Sequence, residues 1–144
     1  MSPDAAISAF SYLRAVQAGD VEAAHEFAGA EPQMAELLVD VVERIVVPVT
    51  ALPGPEAGEP SMETFALEAL LRVLVASLRT WAQAGPDAAE GTARSVVDFV
   101  VQFLTDDHED VAEVLRQLEA VGVGQAIAAH PAPAGAHRVR LSIV

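Results

Sequence analysis

The chain has 144 residues, 52% of them apolar, and its 8 basic residues, all Arg, stand against 21 acids for a formal charge of −13. A disordered chain would be poorer in apolar residues, and without cysteine neither a disulfide scaffold nor a Cys-ligated zinc module can be built. Acidity this strong excludes a binder that holds phosphates by bulk positive charge, so no nucleic-acid partner is expected.

Lys and Asn are absent, while Ala and Val supply 48 of the apolar residues. That is the codon bias expected of a GC-rich, bacterial genome. Met1-Ser2-Pro3-Asp4 carries neither the basic nor the apolar region of a signal peptide. The longest apolar stretch, 65–78, is interrupted by Glu68 and Arg72, and it is shorter than the roughly 20 residues of a membrane span. The expectation is one cytoplasmic domain with no membrane partner.

Gly and Pro divide the chain into helix-sized pieces. Ser2 caps a first helix with Pro3 at its first position, an apolar face of Ala6, Ile7, Phe10, Leu13 and Val16, and Gly19 as its end. Asp20 caps a short second helix that Gly29 closes. Pro32 opens a third that runs to about Val47. Pro48 should stop it, because its ring removes a donor and clashes with the preceding turn.

Residues 48–61 hold four Pro and two Gly and read as a loop. Ser61 caps a fourth helix from Met62 to Ala84, broken by Gly85-Pro86. A fifth begins at Asp87 or Thr92 and runs to Leu104. Thr105 caps a sixth to about Val121, where Gly122 and Gly124 fray its end and Gln125–His130 add at most one turn. After a Pro/Ala tether, Val139, Leu141 and Ile143 alternate with Arg138, Arg140 and Ser142, the period of a half-buried strand.

The expected fold is therefore all-α. It is a five- to six-helix bundle over residues 1–129, with a loop at 48–61, a tether and tail at 130–144, and a possible short C-terminal strand.

Residues 6–28, with Phe10-x-x-Leu13-x-Ala15-x-x-x-Gly19-Asp20-x-x-x-Ala24, resemble two things. One is the opening helices of the ketosteroid-isomerase-like cone fold, which implies a long curved antiparallel sheet to follow. The other is a single tetratricopeptide-type repeat, which implies self-similarity near 34 residues. The chain continues instead into apolar helices without a repeat, and no functional residue is carried over from either family.

The polar stripes of the central helices are narrow. On the fourth, Glu68, Arg72, Arg79 and Gln83 form one stripe on an otherwise apolar girth. The third has Glu36, Asp40, Glu43 and Arg44, and the fifth has Ser95, Asp98 and Gln102. A helix apolar around most of its circumference is buried on most sides, and a small bundle cannot place three helices at its centre. Each Leu, Val or Phe left in water forfeits about 1.5–3 kcal/mol.

The expected role is a non-catalytic interaction module, a homodimer or an accessory subunit of another bacterial protein. The apolar sides of helices three to five supply the contact, with Phe65, Leu74, Trp81, Phe99 and Phe103 as anchors. The alternative is an apolar small-molecule binder, or a small enzyme, with a pocket around Trp81. The tail carries Arg138 and Arg140 and no acid, so it is opposite in sign to the body. Val139, Leu141 and Ile143 are its docking residues, and Ile45–Val49 is a candidate edge for a strand to join.

Nothing in the sequence specifies catalysis or a cofactor. There is no Gly-x-Ser-x-Gly and no phosphate loop. Thr105-Asp106-Asp107-His108-Glu109-Asp110 concentrates hard-cation ligands, which makes Asp106, Asp107 and His108 weak metal candidates. Acids here also suit the first turn of a helix, where they meet free donors and the helix dipole.

Overall fold

A computed structural model describes residues 1–51, 61–85 and 87–131. Six helices make up the described residues, and there is no strand among them. The possible C-terminal strand, and with it Val139, Leu141 and Ile143, lies outside the described residues.

Helix α1 spans Pro3–Ala18 as its local signals dictate. The Ser2 hydroxyl accepts from the Ala5 amide at 3.2 Å, and Gly19 takes the left-handed conformation (φ 71°) that lets its amide close the last turn. Helix α2, Val21–Ala30, starts where Asp20 accepts from the Ala23 amide at 3.0 Å. It runs one residue past Gly29.

Helix α3 departs from expectation. It covers 34–51 as an α-helix over Met34–Val41, a π turn over Val42–Val46, and a further α turn over Val47–Ala51. Pro48 therefore does not end it. In the π turn the Val47 amide reaches back five residues to the Val42 carbonyl. The wider turn gives the proline ring room past the carbonyl it would otherwise strike. Thr50 Oγ1 donates to the Val46 carbonyl at 2.7 Å just beyond. The π turn also overrules Ile45–Val49 as a strand edge, because all five residues are helical.

Helix α4 spans Met62–Ala82 with Ser61 as its cap, and α5 spans Ala88–Phe103. Thr105 does not cap the next helix. It braces a turn, accepting from the Asp107 amide at 3.0 Å and donating to the Asp107 carbonyl at 2.6 Å. Asp107 in turn accepts from Glu109 at 3.1 Å at the start of a 3-10 turn, His108–Asp110. Helix α6 then runs unbroken over Val111–Ala129, through both glycines expected to fray it.

The centre of the bundle is α3. It packs on α1, α4 and α5, and its π turn packs on α6. Met34, Leu38, Val41, Val42, Ile45 and Val46 are all 1% exposed or less, beside Phe10 and Leu13 of α1, Val100 of α5 and Leu115 of α6. The chain itself thus sheathes one of the three helices expected to need a partner, and that part of the expected contact surface is corrected. Helix α4 is peripheral, with substantial contacts only to α3 and α5, and α2 is held mainly by α1.

Candidate functional site: the outer face of helix α4 and the α1–α2–α5 cleft

Helix α4 buries a single stripe. Leu71, Val75, Leu78 and Ala82 are buried, and Leu67 and Leu74 are half-buried against the same core. These positions fall on an arc of about 80–100° at 100° per residue, the width one neighbouring layer can cover. Glu68, Arg72 and Arg79 line one edge of that arc, and the exposed Glu63 stands at the other. Arg79 is ion-paired to Glu43 on the π turn of α3, and Arg72 pairs with Glu68 at 3.4 Å along the helix.

Apart from Glu63 in the first turn, the rest of the helix faces outward and is uncharged. Met62, Phe65, Ala66, Ala69 and Leu70 are exposed, as are Val73, Ala76, Ser77, Thr80 and Trp81. They span an arc of about 160°. Phe65 is 57% exposed, Val73 63% and Trp81 63%. The Thr80 hydroxyl donates to the Ala76 carbonyl at 3.1 Å, so the backbone already satisfies its donor. Ala66, Ala69 and Ala76 are small enough to admit another backbone closely.

Of the five expected anchors, Phe65 and Trp81 are exposed at opposite flanks of this outer face, near its two ends. Leu74 is half-buried beneath it. Phe99 is corrected. It is 8% exposed, stacked behind the half-exposed Phe103 at a centroid distance of 4.6 Å, and it serves as a prop inside the bundle.

Trp81 does not line the cleft that α1, α2 and α5 enclose, which has a volume of about 530 Å³. Its floor is the end of α1 (Tyr12, Ala15, Val16), one wall is α2 (Val21, Ala24, His25, Ala28), and the other is the start of α5 (Asp87, Glu90, Arg94). Between Val21 and His25, α2 faces the cleft with Ala24, Ala28 and Gly29, which are too short to reach α5, and the helix buries no residue completely. Asp87 stands at the N-cap of α5 without making a side-chain cap bond, and Arg94 pairs with Glu90 at 2.5 Å. Burial, with Glu90 adding to it, holds the Tyr12 phenol above its ordinary pKa, against a smaller opposing pull from Arg94. Sequence reasoning missed this site. Its only signal was the run of small residues on α2.

The acidic run 105–110 makes turn hydrogen bonds, as described above. Among the described residues no three His, Asp or Glu side chains are placed to hold a metal ion, and Asp106, Asp107 and His108 form no such group. Among the same residues no helix is long and apolar enough to cross a membrane. The chain matches no protein-family model, no curated protein and no solved structure, so its own geometry carries the functional reading.

Proposed function

We propose that the protein is a helical docking module that pairs with a second copy of itself across the outer face of α4. One observation carries this reading: ten exposed positions of a 21-residue helix, bordered by Glu63 in its first turn, bear no charge and include Phe65, Leu70, Val73 and Trp81. A helix of that length presents a strip about 31 Å long. Two such strips bury on the order of 1,200 Å² together, the lower end of a specific interface.

Charge favours this face over others. Two copies of a chain carrying −13 repel each other. Helix α4, with two acids and two arginines, is locally neutral, so contact there brings the least repulsion. The alanines in the middle of the strip support close helix approach, with the aromatic side chains closing over its flanks.

Sedimentation velocity at tens of micromolar tests the reading. The expected species is a dimer of 15.1 kDa chains, which Val73→Glu converts to a monomer with unchanged helical circular dichroism. A wild-type monomer at that concentration overturns self-pairing. Co-purification of a different protein that Val73→Glu abolishes would move the same face to the accessory-subunit reading.

A further inference from the structure

We infer that the cleft between α1, α2 and α5 is a binding site for a small organic cation, an amine carrying an apolar arm. The cleft's volume of about 530 Å³ falls within the range of small-molecule sites. Three carboxylates, Asp20, Asp87 and Glu90, rim it against one guanidinium, Arg94, which Glu90 already engages. Asp20 is occupied in capping α2. Asp87 makes no side-chain cap bond at the start of α5 and lines the cleft.

The second observation is Tyr12. It is 3% exposed, it lines the cleft floor, and its hydroxyl has no hydrogen-bond partner among the described residues. The hydroxyl oxygen is not among the fully buried polar atoms, so it is the part of this buried side chain that opens onto the cleft and is free to bond a ligand. A phenol oxygen at the floor of an acidic cleft offers an ammonium an acceptor. Ala15, Val16, Ala24 and Ala28 then supply apolar surface for the arm.

A metal ion fits less well. It needs several ligands converging on one point, and no such group stands among the described residues. An ammonium on an apolar arm needs only one or two carboxylates and a dry wall. An anion would meet three carboxylates and one guanidinium that is already paired.

The test uses 2-phenylethylamine as probe and 3-phenylpropionate as its charge-reversed control, titrated by calorimetry into the full chain. The amine is expected to bind saturably at one site per chain, and the carboxylate is not. Asp87→Asn and Glu90→Gln should each weaken the amine about tenfold. Both positions are exposed, so the fold survives and circular dichroism verifies it. Tyr12→Phe should weaken it about threefold to tenfold, and Trp81→Ala should leave it unchanged. Equal binding of the carboxylate overturns the inference. So does amine binding that all three cleft variants leave intact, which would be counterion association with the acidic body. Failure of the amine to bind saturably overturns it as well. None of these outcomes depends on whether α4 pairs with a second copy.

Discussion

Gly122 of α6 sits directly against the side chain of Ile45 on the π turn of α3, so close that a Cβ at Gly122 would run into Ile45 Cδ1 and stand 3.5 Å from Phe10 Cε2. Both neighbours are fully buried. Helix α6 approaches α3 this closely because residue 122 has no side chain. Gly124, two residues on, has nothing within 4 Å.

The two glycines therefore respond oppositely to alanine. At Gly124 the substitution gains helix propensity, about 0.5–1 kcal/mol of stability. At Gly122 the same gain is outweighed by overpacking, which costs about 1–3 kcal/mol. Gly122→Ala should be destabilised by about 1 kcal/mol in urea unfolding and Gly124→Ala stabilised. Equal signs would contradict the α3–α6 packing.

Thr92 on α5 is 1% exposed, and its hydroxyl has no hydrogen-bond partner among the described residues. A buried, unpaired hydroxyl costs about 1–3 kcal/mol relative to an apolar group of the same shape. Thr92→Val keeps the branched shape and removes the oxygen. It should raise stability by about 1 kcal/mol, read as an upward shift in the thermal midpoint. A loss of stability would mean that the hydroxyl is satisfied after all.

The parts of the fold legible in the sequence were those decided within one helical turn. Ser2 with Pro3, Asp20 and Ser61 each carry a cap whose donor lies three residues away, so α1, α2 and α4 begin where the residues say. Pro48 misleads because its usual effect assumes an α turn behind it, and a π turn removes the clash. Gly122 misleads because sequence cannot distinguish a glycine that frays a helix from one that lets another helix come near. The narrow polar stripe of α4 was readable, but periodicity alone did not say which apolar side faces the core. The cleft was not readable at all, since it joins Tyr12 to Glu90 across a gap in the chain that only packing closes.

The orientation of α4 separates neighbouring positions sharply. Leu71 is 1% exposed and Val73 is 63% exposed. Leu71→Ala should cost about 2–5 kcal/mol. Val73→Ser should stay within about 0.5 kcal/mol when unfolding is followed at protein concentrations too low for self-association. If Val73→Ser is as costly as Leu71→Ala under those conditions, the helix is turned the other way and its outer face is not free to dock.

Tyr12 gives the fold a defined alkaline limit. It is the only tyrosine, and the chain has neither Lys nor Cys, so no other side chain titrates between about pH 9 and 11. Burial, reinforced by Glu90, raises its pKa above 10.0. The neutral phenol is therefore favoured more in the folded state than in the unfolded one. Its contribution to stability is fully present below pH 10 and is lost as pH rises through the folded value. Unfolding free energy should accordingly hold steady up to about pH 10 and then fall in the wild type, while Tyr12→Phe stays flat across the same range. Phenolate absorbance reports the same group directly. In the native protein it should develop at higher pH than in urea, and development at or below the unfolded value would place the hydroxyl in bulk water instead of on the floor of the cleft.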